Sequence, residues 1–164
     1  MRPYSRMLTI GIAATVTAVV GTPAATADAS GDQTSTVEYL DYPQADKIFQ
    51  ARGIKLKRGD GHIILVECGS RANLIEVYAR GMQKVDPIGE GKYCFRVTGT
   101  SGYLSMEVPR VYGALGNDYN VNLNMATGSE TKPFTLNKGV WTAVGKAADE
   151  QSREFTLLEI IAKK

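Results

Sequence analysis

The sequence predicts an all-β fold, an antiparallel β-sandwich of about eight strands with one short N-terminal helix. Three observations carry this prediction. Segments rich in β-branched and aromatic residues recur between Ile54 and Ala162, and Gly, Pro, Asn or Ser bound each of them. Residues 119–125 alternate between apolar and polar side chains, which is typical of a strand with one wet face. A helical pattern occurs only once, before these segments.

The single helix is expected at residues 43–52. Asp41 is suited to cap its first turn, and Pro43 is favoured at a first helical position. Gly53 suits the left-handed residue that follows a helix end.

The predicted strands begin after this helix and are separated by turn signals such as ATGSE, NKG and AADEQS. They are HIILVEC (62–68), NLIEVYAR (73–80), KYCFRVTG (92–99), GYLSMEV (102–108), DYNVNLNMA (118–126), KPFTL (132–136), VWTAVGK (140–146) and REFTLLEIIA (153–162).

Residues 1–27 have the features of a secretory signal peptide: a basic head, the apolar stretch MLTIGIAATVTAVV and small residues before the cleavage point. The apolar stretch is shorter than the roughly 20 residues that span a bilayer, so no membrane span is expected after cleavage. Residues 28–40 are expected to form a flexible leader, and residues 41–164 a single β-sandwich domain. The protein is therefore expected outside the cell, either released or at the cell wall.

The charge balance argues against nucleic acid as a partner. The chain has 19 basic and 17 acidic residues, and cleavage of the signal removes Arg2 and Arg6, which makes the two numbers equal. A protein that holds nucleic acid through its phosphates normally has a basic excess or a basic stripe.

Cys68 and Cys94 are the two cysteines of the chain, and an even number in an exported protein favours a disulfide. Closing this loop would stabilise the fold by about 3.5 kcal/mol in the chain-entropy model. Cys94 shares strand parity with Arg96 and not with Phe95, which predicts that the bridge lies at a strand end or on the outer face of a sheet.

The segment KRGDGH (57–62) contains the adhesive tripeptide RGD and also His62, the one histidine of the chain. Asp60 and Gly61 favour a tight type I′ hairpin turn between two extended segments. A receptor-binding loop and an acid/base site with His62 oriented by Asp60 are the alternatives, but no nucleophile motif accompanies them. The prediction is a turn without catalytic residues.

Neither a metal nor a cofactor is predicted. Asn117, Asp118 and Asp60 offer oxygen ligands from loops, whereas calcium needs about six to eight of them.

The predicted binding surface is a row of amides on one strand, formed by Asn120, Asn122 and Asn124. Such a row can hydrogen-bond an extended polysaccharide or peptide, with Tyr103 or Trp141 as stacking partner. The alternative is that the row is only the solvated face of a sheet.

The segments ADKIFQARGIKLKRGDGHIILVEC, YCFRVTGTSGYLSMEVPRVYG and FTLLEI, together with the signal, resemble small secreted β-rich proteins of actinomycete bacteria. The resemblance covers most of residues 44–161. It implies a location and a fold, and it brings no catalytic residue with it.

These observations predict a secreted, non-enzymatic binding protein, with wall glycan, an extracellular polymer or another secreted protein as ligand. The alternatives are a secreted hydrolase or protease-associated protein with a dispersed active site, and a structural component of the wall. A pocket that brings His62, Asp60 and a hydroxyl group within reach of each other would favour the hydrolase.

The signal-peptide prediction is tested by the mass of the exported protein. Because the run of small residues ends at Ala27, we expect the protein in the culture supernatant to begin at Asp28 or within a residue or two of it. Intact-mass measurement checks this. A full-length product retained in the membrane would contradict it.

Overall fold

The computed structural model of the protein describes residues 38–164. These residues form two antiparallel sheets that enclose one apolar core, so the predicted all-β sandwich is confirmed. The expected signal peptide and residues 28–37 of the expected leader lie outside the described residues.

The described residues contain one α-helix and strands β1 to β11. In chain order they are β1 (Leu40–Asp41), α1 (Ala45–Arg52), β2 (Lys55–Gly59), β3 (Ile63–Val66), β4 (Ile75–Ala79), β5 (Lys92–Val97), β6 (Ser101–Val108), β7 (Val111–Leu115), β8 (Asn120–Thr127), β9 (Glu130–Leu136), β10 (Trp141–Ala143), a 3-10 turn (Gly145–Ala147) and β11 (Thr156–Lys163). The 6-stranded sheet has the order β1-β2-β6-β11-β8-β9, and the 5-stranded sheet has the order β10-β7-β4-β5-β3.

Three of these strands are absent from the eight that the sequence predicts. β1 has only 2 residues, and β2 carries three cations in KLKRG. β7, VYGAL, contains Gly113 and Ala114, which weaken both the alternation and the β-propensity. It is nevertheless a central strand because it pairs with both β4 and β10.

The helix was predicted correctly at its end and incorrectly at its start. Gly53 adopts φ 66° and its N–H donates to the carbonyl of Phe49 at 2.9 Å, as expected of a residue after a helix end. Asp41 is not the cap, because it belongs to β1, where it pairs with Arg58. Gln44 precedes the helix with φ 57° and no side-chain cap.

The predicted type I′ hairpin at Asp60 and Gly61 is wrong. β2 pairs with β1 and β6, whereas β3 pairs with β5 in the other sheet, so the segment between them crosses from one sheet to the other. Gly61 has a positive φ of 79° and Asp60 does not, although a type I′ turn needs both. Instead, the Asp60 carboxylate accepts a hydrogen bond from the His62 N–H at 2.9 Å.

The core follows the alternation that the sequence predicts. In β8, Val121, Leu123 and Met125 are fully buried, while the asparagines between them are not. Fully buried residues of neighbouring and facing strands complete this layer. They include Leu104, Val108, Leu157, Ile160, Ile75, Val77, Tyr93 and Phe95.

The predicted disulfide joins Cys68 to Cys94, with 5.2 Å between their Cα atoms. Cys94 pairs with Glu76 on the outer face of the 5-stranded sheet, whereas its neighbours Tyr93 and Phe95 point into the core. The bridge therefore ties the chain just after β3 to the outer face of β5, as the strand parity predicted.

A fully buried carboxylate joins the helix to the loop before β5. Both oxygens of Asp86 bond to the Arg52 guanidinium, one of them at 3.2 Å, and they also accept the N–H groups of Gly89 and Gly91 at 3.1 Å each. Burial alone raises the pKa of Asp86, but these donors outweigh it and hold the pKa below its ordinary value. Arg52 also donates to the carbonyl of Lys92 at 2.9 Å, where β5 begins.

Labelling and reduction test the disulfide. Thiol labelling of the denatured, unreduced protein should find no free thiol. Reduction, or replacement of Cys68 and Cys94 together by serine, should lower the melting temperature by about 10 °C if the bridge contributes about 3.5 kcal/mol. Two thiols that react without a reductant would refute the bridge.

Replacing Asp86 with asparagine should lower the free energy of unfolding by about 3–5 kcal/mol at neutral pH, because it leaves the Arg52 guanidinium, which is only 14% exposed, without its counter-charge. The folded pKa of Asp86 is depressed, so its stabilisation is complete above the unfolded pKa and is lost as the pH falls through the folded one. Urea unfolding from neutral to acid pH measures this, and the difference between the two proteins should shrink on acidification.

The matched control is Glu107→Gln, which removes a partly exposed carboxylate bonded to Lys57 at 2.6 Å. It should cost less than about 1 kcal/mol. Equal losses from the two substitutions would show that the burial of Asp86 does not matter.

Candidate functional site

A surface cleft of 480 Å³ lies at one end of the 5-stranded sheet, where β7 ends and where β4 and β10 begin. Its lining consists of residues 71–74, Glu76, 115–118 and 138–139. We refer to it as the Asn117 cleft.

Gly116 allows the segments 115–118 and 138–139 of the lining to lie against each other. Gly116 pairs with Lys138 in a parallel bridge and accepts a hydrogen bond from the Gly139 N–H at 3.0 Å. A Cβ atom on Gly116 would lie 2.6 Å from the carbonyl oxygen of Asn137, too close for any other residue without a shift of the backbone.

Reciprocal hydrogen bonds fix the other side of the cleft. The Asn73 amide nitrogen donates to the Asp118 carboxylate at 2.7 Å, and the Asp118 N–H donates to the Asn73 side-chain oxygen at 3.0 Å. Asn73 adopts a left-handed conformation, with φ 63°, which asparagine tolerates better than most residues. The loop before β4 is thereby held to the loop before β8.

Asn117 is one of two buried polar or charged residues among residues 38–164, and it is 4% exposed. Its side-chain oxygen accepts the Tyr119 N–H at 3.0 Å, which assigns the oxygen and leaves the amide nitrogen on the other branch. That nitrogen is buried and has no hydrogen-bond partner among the described residues. Because a buried donor without a partner costs about 1–3 kcal/mol, it is the feature of the cleft that most needs explanation.

The charged residues of the cleft differ in how they are paired. Glu76 accepts hydrogen bonds from the Tyr78 hydroxyl and from Lys92, the latter at 2.9 Å. Burial raises the pKa of Glu76, but these two donors outweigh it, so its pKa is lower than usual and it is ionised at neutral pH. Arg71 and Lys138 also line the cleft, and neither forms an ion pair within the described part of the chain.

Trp141 lies next to the cleft on the same sheet but does not line it. It begins β10, at the edge of the sheet, and pairs with Leu115, which lines the cleft. Its indole lies over Gly113, where a Cβ atom would approach the ring to 2.3 Å, and it remains 49% exposed. It is the only tryptophan of the chain.

The predicted asparagine row lies on the outer face of the other sheet, and two of its amides are engaged there. The Asn122 oxygen accepts from the Thr135 hydroxyl at 2.7 Å, and the Asn124 nitrogen donates to Glu159 at 2.7 Å. Tyr103 donates to the other oxygen of Glu159 at 2.8 Å. These bonds give Asn122, Asn124 and Tyr103 a role within the sheet, while Asn120 is exposed at the strand end.

The structure does not bring Trp141 to this row, because β10 and β8 belong to different sheets. The five residues predicted as one binding face therefore form two separate surfaces. Trp141 lies on the 5-stranded sheet, paired with Leu115 of the Asn117 cleft. That the asparagine row binds a ligand stays a prediction.

His62 and Asp60 are neighbours, with 3.5 Å between Nδ1 and the carboxylate. The Asp60 side chain is 8% exposed, so this acid is turned inward and is not displayed at a loop tip. The nearby Thr98 hydroxyl donates to the backbone carbonyl of His62 at 3.3 Å. Within residues 38–164 no hydroxyl group forms a hydrogen bond with the imidazole.

Neither a metal-binding cluster nor a membrane-spanning helix occurs within residues 38–164. No group of three or more His, Cys, Asp or Glu side chains is placed to hold a metal ion. No helix in this part of the chain has the length and apolar character needed to cross a membrane.

Comparison with protein-family models finds none that matches the chain, and comparison with curated proteins finds no match either. The resemblance to secreted actinomycete proteins therefore stays a prediction.

Proposed function

We propose that the protein is a secreted, non-enzymatic binding protein that holds a wall glycan or a similar extracellular polymer in the Asn117 cleft. The observation that carries the proposal is a polar surface cleft whose lining loops are held together by hydrogen bonds, next to the half-exposed Trp141, which pairs with Leu115 of the lining. The disulfide supports an extracellular location, because such bonds persist in oxidising compartments.

A sugar suits this combination of groups. Its ring has an apolar face that can stack on the Trp141 indole, and its hydroxyl groups can pair with the amides and charges of the cleft. The hydrogen bonds between Asn73 and Asp118 hold two of the lining loops in place before a ligand arrives. Such preorganisation lowers the entropy cost of binding.

The hydrolase alternative receives less support, since the Asp60–His62 pair has no hydroxyl nucleophile beside it among the described residues. A purely structural wall component would not need a preorganised polar cleft next to an exposed tryptophan.

Titration of the protein with neutral and acidic wall oligosaccharides, followed by Trp141 fluorescence and calorimetry, tests the proposal. Trp141→Leu should weaken binding by a factor of about two to ten, because an aromatic stack contributes about 0.5–1.5 kcal/mol and 1.4 kcal/mol is a factor of ten. Calorimetry supplies the affinity of this variant, which lacks the fluorophore.

The matched control replaces Asn120, Asn122 and Asn124 with threonine, and His62→Ala serves as a second control. Both should bind as the parent protein does. Loss of binding in the threonine variant, with Trp141→Leu unaffected, would move the site to the asparagine row. Turnover of a substrate that His62→Ala abolishes would replace binding with hydrolysis.

A further inference from the structure

We propose that a second surface, at the opposite end of the 5-stranded sheet from the Asn117 cleft, docks the protein on an anionic lipid membrane. This surface surrounds a hollow of 720 Å³ between the helix, the loop that follows β4 and the turn between β6 and β7. The Asn117 cleft lies where β4 begins and β7 ends, whereas the hollow lies where β4 ends and β7 begins. We refer to this surface as the Ile88 patch.

Three large apolar side chains of the Ile88 patch are exposed, one on the helix and two on the loop. They are Phe49 at 47%, Val85 at 48% and Ile88 at 71%. Seven large apolar residues are exposed among residues 38–164, so the lining of this one hollow contains nearly half of them. Exposed apolar side chains that cluster in this way mark a surface that meets a protein or a membrane.

The lining of the hollow is positively charged. Lys84 and Arg110 belong to it, and neither forms an ion pair within residues 38–164. No carboxylate lines the hollow in this part of the chain. The exposed acids of the same helix and loop, Asp46 and Glu90, lie outside the lining. The charge of the hollow therefore complements an anionic surface.

A membrane fits this composition better than a protein partner does. Lysine is depleted from protein–protein interfaces, whereas lysine beside phenylalanine or leucine is typical of surfaces that lie among lipid headgroups. Lys84 is exposed next to Val85. Lys55 Nζ lies 5.6 Å from the ring centre of Phe49, although it is also 3.4 Å from Glu107. The patch offers apolar side chains to insert among the lipids and cations to bind their phosphates.

The buried ion pair between Arg52 and Asp86 fixes the walls of the hollow relative to each other. Arg52 ends the helix that carries Phe49, and Asp86 belongs to the loop on the other side. Arg110 donates to the Gly81 carbonyl at 3.0 Å and thereby joins the turn between β6 and β7 to the same loop. Because these contacts exist before a membrane is met, little ordering is needed on binding.

Sedimentation of the exported protein with lipid vesicles tests the proposal. Vesicles of phosphatidylcholine mixed with an equal amount of phosphatidylglycerol are compared with vesicles of phosphatidylcholine alone. We expect binding to the anionic vesicles to be tighter by about tenfold or more. Added salt should weaken this binding, because it screens the attraction between the cations and the anionic headgroups.

Single substitutions locate the membrane contact. Ile88→Ser removes the most exposed apolar side chain of the patch and should weaken binding to the anionic vesicles about tenfold. Lys84→Gln should weaken it about fivefold. The matched controls are Val140→Ser and Lys163→Gln, at an exposed valine and an exposed lysine outside the patch, and both should bind as the parent does. Binding through any other segment would not respond to the two patch substitutions.

Trp141 reports which end of the sheet meets the membrane, because it is the only tryptophan and lies beside the Asn117 cleft. Lipids brominated in their acyl chains should leave its fluorescence unquenched. Quenching, absence of binding to anionic vesicles, or parental affinity in both Ile88→Ser and Lys84→Gln would overturn the proposal. A dimer that Ile88→Ser dissociates, without any vesicle binding, would also overturn it and assign the patch to a second copy of the chain. The oligosaccharide titrations are independent of these outcomes, so the proposed function is tested separately.

Discussion

The buried bond between Arg52 and Asp86 is the interaction on which the placement of the 5-stranded sheet depends. Asp86 orders the loop before β5 by accepting hydrogen bonds from two of its N–H groups. Arg52, which is bonded to the same carboxylate, also donates a hydrogen bond to the carbonyl of Lys92, the first residue of β5. The helix is thereby fixed to the point where β5 begins. Because β4 and β3 both pair with β5, their registers depend on that starting point.

The register of the strands in the 5-stranded sheet determines which residues meet at the cleft. Trp141 pairs with Leu115, Leu115 with Glu76, and Glu76 with Cys94, so these four residues form one row across the outer face of the sheet. The disulfide closes that row at one end and the exposed indole stands at the other. A covalent bond typical of an extracellular protein thus braces β5, which pairs with β4, one of the strands that line the candidate site.

Sequence alone predicted what local patterns determine. The alternation in 119–125 placed Val121 and its neighbours in the core, and Gly53 marked the helix end. The sequence could not predict which strands pair, and the hairpin predicted at Asp60 was wrong for that reason. A turn dipeptide between two extended segments has the same sequence pattern whether or not those segments pair in one sheet. β7 was missed because small residues fit a central strand only once its neighbours cover them.

The candidate site was harder to predict than the fold, because its residues come from three segments that only the sheet brings together. In the sequence, Asn117 and Asp118 suggest only scattered oxygen ligands. The sequence near Asn117 does not show that its side-chain oxygen accepts a hydrogen bond from the Tyr119 N–H, or that its amide nitrogen has no partner among the described residues. The asparagines of β8 show the converse. They attract attention as a row in sequence, yet Thr135 and Glu159 from neighbouring strands satisfy two of them. Whether an amide has hydrogen-bond partners is decided by the strands and loops that the fold brings beside it, so the sequence alone cannot tell which amides are free.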